Sequence, residues 1–491
     1  MASSPAVRAR PLRAAALRSR VGAAVVVLVL GAGCTEGEGS GAGGSQAVDR
    51  PSTEDVVAAV TEEGLRARLS ELVAATGDSA GYRSVGSEGY ERAAAYVEGR
   101  LEAAGWSVTT PRVDAPAVVD DGSSSLRVDG RTFGVDDLRP LLLSPAGDVT
   151  GPVVAVNGAP GPARRAGLGC SAGDYGELPD RAVVLVPPGG CFRRDQLLAA
   201  QEAGAGAFVT YSPGAPDGVV LRPTLASAEG LGIPGAWVSG EAAAALAGAA
   251  ADAGGARVVL TARTEVRPTR SVVGELRGSG DEVVVLGAHL DSVVDGPGAN
   301  DDGSGVAALL EIVHALGSSE RRASVRVAFW AGEEVGLLGS SRYVGELSDA
   351  EREAIVLYGN ADMVASPNGF AGVYDEPGAA AGSVAAGDLL RDAVARAGGT
   401  PVPVDLHGAS DHHPFTVAGV PTAGVFSGAL ERVTAEQAAA SGATAGRPAD
   451  ACYHQACDDL DDVDVALARL LTAALADVAV RVADDPGLIT R

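Results

Sequence analysis

The strongest constraint on the fold is a regular alternation of apolar runs and amphipathic segments between residue 267 and the C-terminus. The apolar runs have the length of buried strands and lie at 282–288, 324–330, 354–358 and 422–426. The segments with helical apolar spacing lie at 304–316, 337–347, 385–397 and 463–483. This alternation predicts an α/β fold with a doubly wound mixed sheet and helices on both faces. In such sheets, ligands bind beyond the C-terminal ends of the strands, so we expect the chemistry there.

The N-terminal half contains a stretch of short β-type runs in addition to segments with helical spacing. Helical spacing marks 53–72 and 89–104, and a strand-like run follows at 106–113. Between 141 and 264 the chain changes to short β-type runs separated by proline and glycine. We therefore predict a smaller β-rich module inserted at 141–264, which divides the α/β domain into 53–140 and 265–491.

The first 33 residues have the pattern of a signal peptide. Five arginines precede an apolar run at 21–30, which is too short to span a bilayer, and small residues lead to Cys34. This ending resembles a bacterial lipoprotein processing site, which predicts lipidation at Cys34, followed by a flexible tether at 34–52. Leu30 lies four residues before the cysteine instead of the usual three, so plain secretion is the alternative. Either way we expect an exported protein, with membrane contact only through the lipid anchor.

The cysteine count and the net charge indicate the cellular compartment and exclude one class of partner. Five cysteines leave Cys34 as the odd one, and in an oxidising compartment we expect the pairs Cys170 with Cys191 and Cys452 with Cys457. Buried free thiols are the alternative for these four. The net charge of −25 repels phosphate and excludes nucleic acid as a partner.

His289, at the end of the 282–288 strand run, is the first candidate metal ligand. Asp291 follows two residues later, on the same side of an extended chain, where its carboxylate could hold the second ring nitrogen. A structural histidine would show the same local pattern.

Further carboxylates lie close to the ends of the following predicted strands and before a predicted helix. Asp301 and Asp302 precede a helix in a glycine-rich segment, where an N-cap is the alternative use of aspartate. The paired Glu333 and Glu334 follow one strand run, and Asp362 follows the next. Adjacent acids in an apolar setting need a cation or a proton, so one of the pair is expected to bind metal while the other accepts a proton.

The last candidate ligand is His454, in the run Cys452-Tyr453-His454-Gln455-Ala456-Cys457. A disulfide closing this small loop would restrict the position of His454, which suits a metal ligand. It would also place Tyr453 beside the metal.

Taken together, the chain from His289 to Cys457 resembles the secreted bacterial di-zinc aminopeptidases, which are relatives of glutamate carboxypeptidase and glutaminyl cyclase. The matching motifs, in order, are Gly287-Ala288-His289-Leu290-Asp291-Ser292, Asn300-Asp301-Asp302-Gly303-Ser304-Gly305, the Gly332-Glu333-Glu334 segment, Asp362-Met363-Val364, and the Cys-Tyr-His loop. The stretch 170–212 resembles the protease-associated domain, for which we expect a lid or substrate-access role.

The resemblance implies two zinc ions per chain, one on His289, Asp301 and Asp362 and the other on Asp301, Glu334 and His454. Glu333 would be the general base for a metal-bridging water, and Tyr453 would stabilise the oxyanion. Asp291 would complete the catalytic group. Phe426 and Met363 are assigned to substrate binding, and Phe426 points to apolar N-terminal residues such as leucine. We therefore expect a monomeric exopeptidase acting on extracellular peptides.

Two features leave alternatives open. Related enzymes often carry arginine where this chain has Ala409, which leaves the substrate preference open. Members of the family share ligands yet differ in the substrate end they cleave, so a carboxypeptidase or dipeptidase on the same scaffold is the second interpretation, and a non-catalytic, receptor-like protein is a third. His407, His412 and His413 cluster near Ala409, and we expect them to be structural or at the pocket rim instead of forming a third metal site.

Overall fold

The computed structural model describes residues 50–156, 169–211, 220–376 and 379–489. The predicted signal peptide, the lipidation site at Cys34 and the tether up to residue 49 lie outside these residues. Within the described ranges, no helix combines the length and the apolar character needed to cross a membrane.

Twelve α-helices and eighteen β-strands are found in the described residues. The helices are α1 (Thr53–Ala59), α2 (Glu62–Ala75), α3 (Glu88–Ala103), α4 (Arg193–Glu202), α5 (Gly240–Ala251), α6 (Gly303–Leu316), α7 (Leu338–Glu346), α8 (Asp349–Ala354), α9 (Ala381–Arg396), α10 (His412–Val417), α11 (Ala435–Ser441) and α12 (Val465–Asp484). The strands are β1 (Ser107–Thr109), β2 (Arg112–Val119), β3 (Ser125–Val128), β4 (Arg131–Phe133), β5 (Leu138–Pro140), β6 (Gly147–Ala155), β7 (Val183–Val186), β8 (Ala207–Tyr211), β9 (Gly235–Val238), β10 (Gly255–Leu260), β11 (Arg263–Arg270), β12 (Val272–Leu276), β13 (Val283–His289), β14 (Ser324–Trp330), β15 (Ile355–Ala361), β16 (Gly372–Tyr374), β17 (Val402–Val404) and β18 (Thr422–Phe426).

The larger α/β unit is built on an eight-stranded mixed sheet with the order β1-β12-β14-β13-β15-β18-β16-β17. Its four central strands, β14, β13, β15 and β18, are parallel, whereas β1, β12 and β16 pair antiparallel with their inner neighbours. The predicted doubly wound mixed sheet is therefore confirmed. The parallel centre brings the carboxyl ends of β13, β14 and β15 to one edge of the sheet.

The two faces of this sheet are covered by different helices. Along β13, Val284 and Leu286 pack into a large core with α2, α6 and α12, while Val283 and Val285 pack into a smaller core with α7 and α10. A strand buried on both faces reads as a continuous apolar run, which is why the sequence pattern of β13 does not alternate.

The second eight-stranded sheet has the order β4-β3-β10-β6-β7-β8-β9-β5 and forms the inserted β-rich module. The predicted boundary at residue 141 falls inside this sheet, because β3, β4 and β5 precede it in sequence. β3 pairs with β10 and β5 pairs with β9 of the insertion, while β4 pairs with β3. The chain enters and leaves the module along an antiparallel ribbon of β2 and β11, from Arg112 opposite Arg270 to Val119 opposite Arg263.

Two elements are divided where one was expected. The predicted helix at 53–72 is interrupted at Thr61, whose side chain accepts a hydrogen bond from the Gly64 amide and starts a new helix. The predicted strand at 106–113 is split at Pro111, which has no amide hydrogen to donate to a ladder.

Candidate metal centre

The five predicted metal ligands meet at the carboxyl edge of the main sheet. His289 ends β13, Glu334 follows β14 and Asp362 follows β15, while Asp301 precedes α6 and His454 lies in the disulfide loop. All five side chains are buried or nearly so. Strand order thus brings together groups that are up to 165 residues apart in the sequence.

His289 is fixed by its second ring nitrogen, but not in the predicted way. Its Nδ1 lies 2.9 Å from the main-chain oxygen of Asp291 and 3.9 Å from the Asp291 carboxylate. Donation from Nδ1–H to the carbonyl leaves Nε2 with its lone pair available for a metal. The hydrogen-bond acceptor for the ring is therefore the backbone of Asp291, which the chain presents after turning at His289, while the Asp291 carboxylate stays at ion-pair distance.

The Asp291 carboxylate instead orders the two glutamates. It accepts hydrogen bonds from the amides of Gly332 at 2.8 Å, Glu333 at 3.2 Å and Glu334 at 3.3 Å. Asp291 therefore sets the turn that carries Glu333 and Glu334 into the site.

Asp301 lies between the two histidines. Its Oδ1 is 3.0 Å from His289 Nε2, and its Oδ2 is 3.0 Å from His454 Nε2. The neighbouring residue, Asp302, caps α6 by accepting from the Gly305 amide at 2.9 Å. Of the two predicted uses, Asp301 thus takes the metal-ligand position and Asp302 the helix N-cap. The intervening peptide bond is cis.

Each imidazole Nε2 faces a second carboxylate as well. Glu334 Oε2 lies 3.1 Å from His454, and Asp362 Oδ1 lies 3.7 Å from His289. The other Glu334 oxygen, Oε1, is buried and has no hydrogen-bond partner among the described residues. A buried carboxylate oxygen without a donor is costly unless a cation satisfies it.

These donors fit two zinc ions. In tetrahedral zinc sites, donors about 2.0–2.2 Å from the ion lie about 3.3–3.6 Å from each other, close to the separations found here. Asp301, Glu334 and His454 have donor atoms all within 4.8 Å of one another, and His289 forms one such group with Asp302 and Asp362 and another with Glu333 and Glu334. Burial alone would lower the pKa of His454, but Glu334 and Asp301 raise it to about 10, so the carboxylates strongly attract positive charge.

Glu333 is the acid beside this cluster that is suited to proton transfer. It lines the same cavity as His289 and Asp362. Burial, followed by the negative charges of Glu334 and Asp362, raises the pKa of Glu333 well above its usual range. A carboxyl group in this setting can accept a proton near neutral pH.

The cluster opens into a cavity of about 530 Å³. Phe426 and Met363, both predicted to bind substrate, line it, as do Ala409 and Tyr453. The Tyr453 ring stacks on the His454 ring, with centroids 3.8 Å apart, inside the loop closed by the Cys452–Cys457 disulfide. The other predicted pair, Cys170 and Cys191, is also bonded.

Sequence reasoning missed the polar groups that support the ligands. Ser410 donates to Asp362 Oδ2 at 2.6 Å and accepts from Asn360 Nδ2 at 2.8 Å. Asp458 accepts from the amides of Asn300 at 2.6 Å and Asp301 at 3.1 Å. Serines and aspartates are too common in loops for such roles to be recognised without the fold.

The other histidines stay outside the cluster. His412 is buried with Nε2 2.6 Å from Glu376, and His407 is exposed and lies 2.9 Å from Asp405. The groups of ligand-type side chains found in the described residues contain His289 and His454 but neither of these.

Comparison with known proteins places this site in a family. Residues 271–479 match peptidase family M28, and residues 149–246 match the PA domain. The chain is 37% identical over 420 residues to "Probable lipoprotein aminopeptidase LpqL" of Mycobacterium tuberculosis, an alignment that covers 82% of this chain and 81% of that protein. It is 32% identical to an aminopeptidase of Pseudomonas aeruginosa, covering 84% and 79% of the two chains.

Solved structures share the fold. An aminopeptidase from Aneurinibacillus sp. strain AM-1 aligns with a TM-score of 0.69 at 22% identity, covering 88% of this chain and 96% of its own. BSAP, a zinc aminopeptidase from Bacillus subtilis, aligns with a TM-score of 0.66 at 22% identity, covering 86% and 95%. From these matches and its own architecture, the chain belongs to peptidase family M28 and carries a PA domain.

Proposed function

We propose that the protein is a di-zinc aminopeptidase that removes N-terminal residues, preferably apolar ones, from extracellular peptides. The observation that carries this proposal is Asp301, whose two oxygens face the Nε2 atoms of His289 and His454 in the cavity that Glu333 also lines. The names of the two bacterial relatives support the choice of substrate end.

Bound zinc ions supply Lewis-acid polarisation and lower the pKa of water. Glu333 accepts the proton of the attacking water and returns it to the leaving amine. The Tyr453 hydroxyl donates a hydrogen bond to the oxyanion that develops on the substrate carbonyl. Glu333 and Asp362 hold the α-ammonium group, and Phe426 and Met363 contact the N-terminal side chain.

The PA domain controls access of the substrate to this site. Arg222, in the domain, donates to Asp295 at 2.9 Å and to Asp120 at 2.7 Å, and Asp295 follows the strand that carries His289. Ala226 lies beside Gly336, close to the glutamate turn. These contacts hold one arm of the domain at the edge of the site.

The mature protein is exported and anchored to the outer face of the cell membrane through a lipid on Cys34. The name of the Mycobacterium tuberculosis relative includes the word lipoprotein, and two disulfides suit an oxidising compartment. We expect it to act as a monomer.

The decisive assay is hydrolysis of leucyl-p-nitroanilide by the purified protein, with and without a chelator. We expect activity to disappear on chelation and to return with zinc, and an N-acetylated substrate to resist cleavage. Glu333→Gln is expected to lower kcat at least about 1,000-fold while zinc stays bound, since it removes the proton acceptor. The exposed Glu63→Gln serves as the matched control.

Cleavage of the N-acetylated peptide from its C-terminus would instead identify a carboxypeptidase. Full activity of Glu333→Gln would contradict the assigned role of this residue.

A further inference from the structure

The cavity beside the metal centre has two chemically different parts beyond the ligands. One wall is apolar and includes Phe370, Val404 and Phe426. The same cavity is also lined by two carboxylates that take no part in the metal cluster, Asp405 and Glu431. A pocket that binds only apolar side chains would not require these two carboxylates.

The backbone around Glu431 is well anchored although its side chain is exposed. The Glu431 carbonyl accepts from the Ala449 amide at 3.2 Å, and the Ala429 carbonyl accepts from the Asp450 amide at 2.8 Å. Val433, two residues further on, is buried in a small core with Phe370. The carboxylate is thus attached to the same packed unit as the apolar wall.

Glu431 is available to a ligand. Its carboxylate has no hydrogen-bond or ion-pair partner in the described part of the chain. No described arginine lines the cavity, and the sequence contains no lysine. Asp405 is partly engaged, since its oxygens contact the amide and ring of His407 at 2.8 and 2.9 Å. The part of the cavity lining that lies outside the metal cluster therefore carries negative charge without a compensating cation from lysine or arginine.

We propose that the cavity accepts N-terminal lysine and arginine as well as leucine, with Glu431 determining the preference for a positively charged side chain. Lysine and arginine combine an apolar stem with a charged end, which matches a cavity with an apolar wall and an acidic rim. The α-ammonium stays at the metal centre, as for leucine. This inference rests on the proposed aminopeptidase function.

The test compares lysyl and norleucyl p-nitroanilides, since norleucine has a similar stem without the terminal charge. We expect Glu431→Gln to lower the ratio of kcat/KM for lysyl over norleucyl substrate about fivefold, as for a solvent-exposed ion pair. Added salt is expected to lower the same ratio in the wild type, because exposed charges are screened. Glu436→Gln, on the first turn of α11 and outside the cavity lining, is the matched control.

A lysyl-to-norleucyl ratio that is unchanged in Glu431→Gln would overturn the inference and identify Glu431 as a solvated surface acid. In that case hydrolysis of leucyl substrate still supports the proposed function. Failure of the zinc-loaded wild type to hydrolyse any of these substrates would instead overturn the proposed function itself.

Discussion

Asp362 shows how a single ligand depends on residues behind it. Its Oδ1 faces His289, and its Oδ2 accepts from Ser410, which in turn accepts from Asn360. Asn360 also donates to Tyr374 at 2.9 Å and accepts from Tyr358 at 2.8 Å. This buried chain of hydrogen bonds turns one Asp362 oxygen toward the metal position.

Removal of the Ser410 hydroxyl is therefore expected to weaken zinc binding. Ser410→Ala leaves Asp362 free to rotate, and loss of such a supporting contact typically costs about 10- to 100-fold in metal affinity. Competition with a fluorescent zinc chelator measures the change, with the exposed Ser341→Ala as control. Equal zinc affinity in both variants would contradict the positioning role of Ser410.

At the residue scale, the sequence predicted which side chains meet but not how each one is used. The ligand types and their order along the chain were sufficient to nominate His289 and Asp301. Local sequence alone did not distinguish Asp301 from Asp302, because either could cap a helix, and only the resemblance of the whole motif assigned the metal to Asp301. The contact of Asp291 depended on a turn after β13, which local patterns do not encode.

At the scale of elements, the loop after β13 is held in place by the buried guanidinium of Arg83. Arg83 donates to the carbonyls of Leu290 at 2.9 Å, Pro297 at 2.6 Å and Gly298 at 2.9 Å. Burial lowers the pKa of Arg83. The negative charges of nearby aspartates, of which Asp458 has the largest effect, oppose that shift. The geometry uses the planar fork of arginine, which lysine cannot reproduce.

Arg83→Lys is expected to lower the free energy of unfolding by about 2–4 kcal/mol, because it leaves buried carbonyls without donors. Urea denaturation followed by circular dichroism measures this, and the exposed Arg66→Lys is expected to change it by less than about 0.5 kcal/mol. A loss for Arg83→Lys no larger than for the control would show that the loop does not depend on the guanidinium.

At the scale of helices and strands, prediction worked where periodicity was long. The strand at 324–330 and the strand at 422–426 coincide with β14 and β18, and α6 begins one residue before its predicted start. Errors came at Thr61 and Pro111, where one side-chain cap or one missing amide hydrogen overrides the apolar pattern.

The whole molecule joins two sheets through the β2–β11 ribbon and the Arg222 ion pairs. The inserted module was predicted from the change to short β-type runs, but its predicted start at residue 141 comes after three strands that belong to the observed sheet. β3 pairs with β10, about 130 residues further along the chain. Pairing over such distances depends on the tertiary fold and leaves no local signal at residue 125.

We propose that Asp301 serves both zinc positions, and the zinc content of the protein tests this most directly. After reconstitution with zinc and dialysis, the wild type is expected to hold two zinc ions per chain by inductively coupled plasma mass spectrometry. Asp301→Ala removes a donor from both positions and is expected to hold fewer than one. Zinc at one equivalent or less in the wild type, or two equivalents retained in Asp301→Ala, would contradict the shared site.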